Sequence, residues 1–88
     1  MDLLVVEDHP VNRALATRLL ERWGHRVTIA EDGAQGLQAM REQRFDAVLM
    51  DMQMPVMDGL EATRQWRRLE AARGDGSHLP VVGLTANA

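Results

Sequence analysis

Short, mainly apolar runs alternate with segments of helical periodicity from one end of this chain to the other. The runs lie at residues 3–6, 26–30, 45–50 and 80–84. The first of these runs is typical of a strand buried on both faces, as in a parallel sheet. Strict alternation of such strands with helices specifies a parallel sheet that has helices on both faces. The sequence therefore predicts an α/β fold with a doubly wound parallel sheet.

The first predicted helix lies between the first two strands. Pro10 suits the first turn of a helix, and either Asp8 or His9 can cap it. The helix should run to about Trp23, and Gly24 should end it. Its apolar residues recur near helical spacing: Val11, Ala14, Leu15, Leu19 and Trp23.

Two further helices are predicted. Asp32 and Gly33 open the second, with Leu37 and Met40 on its inner side. Residues 52–57 contain Pro55 and are predicted to form a loop, after which Asp58 caps the third helix. In this helix the side chains at a spacing of three are Leu60, Thr63, Trp66 and Leu69. A Gly-rich loop at residues 73–78 separates it from the last strand.

Size and composition exclude several classes of protein. The 88 residues allow one domain at most, and a hydrophobic share of 45% is ordinary for a globular fold. Thirteen acidic against 10 basic residues give a net charge of -3, which argues against general binding to nucleic acid. There is no cysteine, and no apolar run reaches the length of a membrane span. We expect a cytoplasmic domain without membrane contact.

Acidic residues follow two of the predicted strands directly. Glu7 and Asp8 follow the first strand, and Asp51 follows the third. Ligands of open α/β sheets bind beyond the carboxyl ends of the strands, so three carboxylates meet there if these strands are neighbours. Hard oxygen ligands suit Mg²⁺, and Mn²⁺ has similar preferences. With a metal bound, Asp51 could stay ionised and attack a phosphoryl group, to which Thr85 could donate its hydroxyl.

Taken singly, each of these residues has an ordinary explanation. Glu7 and Asp8 could be a solvated turn or a helix cap, and Asp51 could be a turn residue. Thr85 alone would simply end a strand. Their combination favours a site, because unrelated turns would rarely place all of them at one edge of a sheet.

The chain resembles the receiver domains of response regulators in two-component signalling. The pieces that carry the resemblance are LLVVEDHPVNR, FDAVLMDMQMPVMDGLEATRQWR and LPVVGLTANA. The central piece is highly specific: an acid ends a strand, a Pro follows four residues later, and an Asp-Gly pair comes just after. The first and last pieces are most similar to receivers fused to hybrid sensor histidine kinases. The resemblance implies a flavodoxin-like sheet, whose strand order is 2-1-3-4-5.

The resemblance also implies a role for each matching residue. Asp51 is then the phosphoacceptor, Asp8 a direct metal ligand and Glu7 a ligand through water. The backbone carbonyl of Gln53 would complete the magnesium site. The hydroxyl of Thr85 would move to meet the phosphoryl group, and Ala86 would leave room for it.

The chain departs from the family in where it stops. Receivers continue into a fourth helix, a fifth strand and a fifth helix, with an essential Lys after the fifth strand and an aromatic switch residue within it. This chain ends at Ala88, so residues 1–88 correspond to a receiver domain through its fourth strand, in the order 2-1-3-4. We expect a protein of only these residues to be partly unfolded, to associate through the uncovered fourth strand, or to recruit a second copy that completes the sheet.

The resemblance implies a signalling module that catalyses its own aspartyl phosphorylation, within a parent that could be a hybrid kinase. The phosphoryl group would come from a phosphohistidine, and the partners would be a histidine kinase, a histidine phosphotransfer domain or both. A degenerate receiver that only binds proteins is one alternative, and a metal-dependent phosphatase-like enzyme is another. Dehalogenase-like phosphatases and toprim-type nucleases both require an Asp where this chain has Gln53.

Overall fold

Strands and helices alternate in the computed structural model, which describes residues 1–51, 59–74, 76 and 78–84. The four strands are β1 (Asp2–Val6), β2 (Arg26–Ala30), β3 (Ala47–Asp51) and β4 (Val81–Leu84). The three helices are α1 (Pro10–Arg22), α2 (Gly33–Glu42) and α3 (Gly59–Arg73). None of the helices in these ranges has the length and apolar character needed to cross a bilayer.

The strands form one parallel sheet in the order β2-β1-β3-β4, as predicted. The chain moves one way from β1 to β2 and the opposite way from β2 to β3 and β4. Because crossovers between parallel strands are right-handed, this change of direction puts α1 on one face and α2 with α3 on the other. The sheet is therefore doubly wound, and the reversal lies between β1 and β3.

The main core lies between the sheet and the α2–α3 face. Alternate residues of β1 and β3 point into it, and helix residues close it: Leu4, Val6, Val48, Met50, Leu37, Met40, Ala62 and Trp66. Burying each of the larger side chains contributes roughly 1.5–3 kcal/mol. Leu3 and Val5 are also buried, but they point to the opposite face of the sheet. Strand β1 is thus buried on both sides, as its apolar composition predicted.

Helix α1 begins and ends where the sequence predicted. His9 occupies the N-cap position, although its side chain makes no capping hydrogen bond. Gly24 follows the last turn with a φ of 88°, a conformation that favours glycine. Three apolar residues of this helix and its C-cap residue are 48–65% exposed: Val11, Leu15, Leu19 and Trp23. Their spacing therefore predicted the helix correctly but does not mark its buried side.

Small differences from the predicted boundaries have local causes. Strand β3 includes Asp51, because Asp51 pairs with Leu84 across the sheet. Strand β4 begins at Val81 because Pro80 has no N–H to donate, although its carbonyl accepts a hydrogen bond of 2.9 Å from the Val48 amide. The predicted loop at residues 52–57 and the predicted cap Asp58 lie outside the described residues.

Helix α3 buries a different set of residues from those at the predicted spacing of three. A step of three residues turns back by about 60° on an α-helix, so Leu60 and Leu69 lie on opposite sides. Leu60 is accordingly 52% exposed, whereas Leu69 packs against the core. The buried positions are Gly59, Ala62, Trp66 and Glu70.

Glu70 is a buried carboxylate that ties the end of α3 to the segment before β4. It accepts hydrogen bonds of 2.6 Å from the Leu79 amide and from Arg67. Burial disfavours its charge, but these donors outweigh that effect and lower the pKa of Glu70. A paired buried charge at this position orients the connection into β4, the strand next to Asp51.

Candidate functional site

Three carboxylates meet beyond the carboxyl ends of β1 and β3. These strands are parallel neighbours, with Val6 beside Met50 in the register, so the residues that follow Val6 lie next to Asp51. Ligand oxygens of Glu7, Asp8 and Asp51 lie within 4.8 Å of one another. Glu7 is 6% exposed and Asp51 9% exposed, whereas Asp8 is open to solvent. The predicted meeting of the three carboxylates is confirmed, and Asp8 provides the accessible side of the cluster.

The turn after β1 holds Glu7 in place. The Glu7 amide continues the sheet by donating to the Ala30 carbonyl at 3.1 Å. One carboxylate oxygen of Glu7 accepts a hydrogen bond of 3.0 Å from the His9 amide. Burial, together with the nearby Asp51 and Asp8 carboxylates, raises the pKa of Glu7, and the His9 amide opposes this only in part. The cluster therefore concentrates negative charge that a cation would neutralise.

Gly59 lets the start of α3 approach the end of β3. A Cβ atom at this position would overlap the backbone carbonyl oxygen of Asp51 and would lie 2.7 Å from Cγ of Met50. No side chain fits in that space, so any larger residue would displace the helix or the strand that carries Asp51. Gly59 belongs to the Asp-Gly pair of the central motif, and this contact gives a physical reason for its glycine.

Arg13 was not among the predicted site residues, although it ends the EDHPVNR segment. Its Nη1 donates to the backbone carbonyl oxygens of Glu7, at 3.3 Å, and Asp8, at 3.1 Å. Its Nη2 lies 3.8 Å from a carboxylate oxygen of Glu31, which follows β2. The only sequence signal was its position one helical turn after Pro10, from which a long side chain can reach back to the preceding turn.

Three of the predicted site residues lie outside the described residues: Gln53, Thr85 and Ala86. Their roles stay predictions. The described part of the site consists of the three carboxylates and the groups that hold them.

The donor set fits a small, hard cation. Carboxylate oxygens on one open edge suit Mg²⁺, which binds oxygen and usually keeps several water molecules. Glu7 lies on a buried turn and Asp51 at a buried strand end, whereas Asp8 faces solvent. This arrangement leaves room for such water. Electrostatics and ligand chemistry therefore both favour a divalent cation at this edge of the sheet.

The family model described as the response regulator receiver domain matches residues 3–88. The chain belongs to this family. Two curated relatives are sensor proteins that are far longer than this chain. The receiver domain is 46% identical over 86 residues to the sensor protein GacS of Pseudomonas syringae, covering 98% of this chain and 9% of that protein. It is 42% identical to the sensor protein EvgS of Escherichia coli, covering 100% of this chain and 7% of that protein.

Solved structures share the receiver fold. One is the receiver domain of a sensor histidine kinase from Pseudomonas aeruginosa, with a magnesium ion coordinated in the active-site cleft. It is 44% identical, with a TM-score of 0.87 over 99% of this chain and 68% of that one. Another is the receiver domain of a Saccharomyces cerevisiae response regulator, crystallised with its histidine phosphotransfer protein. It is 28% identical, with a TM-score of 0.84 over 97% of this chain and 61% of that one. The predicted flavodoxin-like receiver fold is confirmed.

Proposed function

We propose that this receiver domain accepts a phosphoryl group from a phosphohistidine onto Asp51 in a two-component phosphorelay. The observation that carries the proposal is the meeting of Asp51 with Glu7 and Asp8 at one sheet edge, in a chain of the receiver family. Asp51 ends the strand beside the one that carries the other two acids. Residues 1–88 would all belong to one receiver domain.

The transfer needs Asp51 as an ionised nucleophile. A carboxylate oxygen of Asp51 attacks phosphorus, a new oxygen–phosphorus bond forms, and the phosphorus–nitrogen bond to the donor histidine breaks. The electron pair of the broken bond stays on the imidazole nitrogen, which then takes up a proton. The domain would thus catalyse its own phosphorylation as a signalling module rather than turn over a substrate.

Glu7, Asp8, Asp51 and the backbone carbonyl of Gln53 are the residues that we propose hold the cation, with Glu7 acting through water. Bound Mg²⁺ would offset the charge of the carboxylates and of the incoming phosphoryl group. Thr85 would donate its hydroxyl to the phosphoryl oxygens, and the small side chain of Ala86 would leave space for them. Mn²⁺ prefers similar ligands and is the second ion to test.

Incubation with acetyl phosphate and Mg²⁺ separates this proposal from its alternatives. A receiver retains one phosphoryl group per chain, in a bond that is stable to acid and labile to base. A phosphatase-like enzyme would release phosphate continuously, and a degenerate receiver would do neither. Repeating the incubation with chelator in place of Mg²⁺ tests the requirement for the cation.

The proposed partners are a histidine kinase and a histidine phosphotransfer domain. Two relatives are sensor proteins, and a receiver of the same fold was crystallised with a histidine phosphotransfer protein. Such relays start from ATP, so we propose that the domain works in the cytoplasm, within a parent of the hybrid sensor kinase type. We propose no direct contact with nucleic acid or membrane, in keeping with the net charge of -3.

A polypeptide of only these 88 residues is expected to associate through β4. This strand pairs with β3, and no other described strand pairs with its second edge. Val82 on β4 is 51% exposed, and an open apolar edge is a template for pairing with another chain. Sedimentation should show a mass that rises with concentration.

Two lysine substitutions test whether the chains associate through β4. Val82→Lys should restore a monomer, because a charge on an edge strand opposes pairing. Val11→Lys removes a similarly exposed apolar side chain from α1 and should leave the association unchanged. A cooperative melt together with a monomer mass at every concentration of the unchanged chain would contradict the expectation.

A further inference from the structure

We infer that Arg13 is a positioning residue that holds the Glu7–Asp8 backbone in the geometry needed to bind the cation. The inference rests on the proposed function, because it concerns the same cation site. It assigns a role to a residue whose side chain donates to backbone carbonyls of the site.

The guanidinium group of Arg13 makes contacts on two sides. Nη1 donates to the carbonyls of both residues that supply ligands after β1, at 3.3 Å for Glu7 and 3.1 Å for Asp8. Nη2 faces Glu31 at 3.8 Å, beyond the end of β2. One side chain thus joins the first turn of α1, the turn after β1 and the turn after β2. The planar fork of arginine can serve several acceptors at once, which a lysine ammonium does less well.

Arg13 lies in a part of α1 where a positive charge is unfavourable. The first turn of α1 contains no acidic residue, and Arg13 puts a positive charge near it. A cation near the N-terminus of a helix is opposed by the helix dipole. Its side chain is nevertheless only 21% exposed. The contacts with the two carbonyls and Glu31 therefore explain this residue better than helix stability does.

The charge of Arg13 and its backbone contacts predict opposite changes in Mg²⁺ binding when the residue is lost. A positive charge next to the turn that carries Glu7 and Asp8 repels a divalent cation, so by charge alone the loss of Arg13 would strengthen Mg²⁺ binding. If Arg13 positions the ligands, its loss weakens Mg²⁺ binding instead, because the turn that carries Glu7 and Asp8 is no longer held in place. Loss of groups that orient metal ligands typically weakens binding by roughly 10–100-fold. The direction of the change therefore separates the two roles.

The test compares Arg13→Gln, Arg13→Lys and the control Arg18→Gln in the complete natural protein. Arg18→Gln removes the same charge from an exposed position of the same helix. We expect Arg13→Gln to weaken Mg²⁺ binding, measured by calorimetry, roughly tenfold. Arg13→Lys should also weaken it, because it keeps the charge but loses the fork, and Arg18→Gln should leave it unchanged. Tighter or unchanged binding in Arg13→Gln, or normal binding in Arg13→Lys, would overturn the inference.

Two further readouts separate positioning from a general loss of structure. In Mg²⁺-free buffer, the peptide that spans residues 3–13 should exchange its amide hydrogens faster in Arg13→Gln, while peptides of α3 should not. At saturating Mg²⁺, labelling by acetyl phosphate should return to within about twofold of the unchanged protein, because Arg13 touches no reacting atom. Labelling that stays low at saturation would overturn the positioning role.

The outcome also distinguishes a failure of this inference from a failure of the proposed function. If the unchanged protein neither binds Mg²⁺ nor becomes labelled, the proposed function fails. If it does both and Arg13→Gln behaves identically, only the inference fails. If Arg13→Gln does not fold, Mg²⁺ binding by Arg13→Lys decides: weakened binding supports the role, and normal binding overturns it.

Discussion

Replacement of Asp51 by Asn should reduce labelling by a phosphorylated kinase domain to background. The amide is neutral, so its oxygen is a poor nucleophile and a weaker ligand for a divalent cation. Asn has nearly the same shape, and one carboxylate fewer relieves repulsion around Glu7, whose pKa is already raised by burial and by Asp51. The fold should therefore survive a change that removes the acceptor. Phosphotransfer measured in the complete natural protein gives the result directly.

The matched control is Asp46→Asn, just before the opposite end of β3. Asp46 immediately precedes β3, and its carboxylate accepts a hydrogen bond of 2.6 Å from the Asp2 amide. Asn keeps an oxygen that can accept this bond, so labelling should be normal. Circular dichroism of both variants checks the fold. Normal labelling of Asp51→Asn would remove Asp51 from the role of acceptor.

Replacement of Asp8 by Ala should have opposite effects on Mg²⁺ binding and on stability without Mg²⁺. Asp8 is the exposed member of the carboxylate cluster, so its loss removes the most accessible ligand. Mg²⁺ affinity should fall by more than roughly tenfold. Without Mg²⁺, the loss of one charge should raise the free energy of unfolding by up to about 1 kcal/mol, because like charges no longer crowd Glu7.

Asp8→Asn separates the two contributions. It removes the charge but keeps an oxygen, so the stability gain should match that of Asp8→Ala while Mg²⁺ binding is partly retained. Mg²⁺ titration followed by Trp fluorescence or NMR shifts gives the affinity, and urea unfolding in chelator gives the stability. Undiminished Mg²⁺ affinity in Asp8→Ala, or a lower stability without Mg²⁺, would contradict the proposed role of Asp8.

Element type was predictable because local chemistry determines it here. Pro10 and Gly24 mark the two ends of α1, and both ends lie where they were predicted. Asp32 caps α2 by accepting a hydrogen bond of 2.8 Å from the Gln35 amide. Such signals act within a few residues, so they can be read without knowledge of the rest of the fold.

The buried side of a helix was less predictable, because it depends on what the helix packs against. In α1 the residues at helical spacing remain exposed, and in α3 a buried carboxylate, Glu70, occupies a core-facing position. Glu70 tolerates burial only because Leu79 and Arg67 donate to it, and Leu79 lies on a different segment of the chain. A helical pattern in the sequence contains no information about such partners.

By itself, the sequence determined the alternation of strands and helices, the three acids at strand ends and the resemblance to receivers. The tertiary structure decided how those acids are held. The Glu7 carboxylate is fixed by the His9 amide, the Glu7 and Asp8 carbonyls are held by Arg13, and Gly59 allows α3 to reach Asp51. The meeting of Glu7 and Asp8 with Asp51, and the approach of Gly59 to Asp51, join segments that are separate in sequence, whereas the contacts of His9 and Arg13 span only two to six residues. Residue types and spacing are local properties, and contacts between separate segments exist only once the sheet has formed.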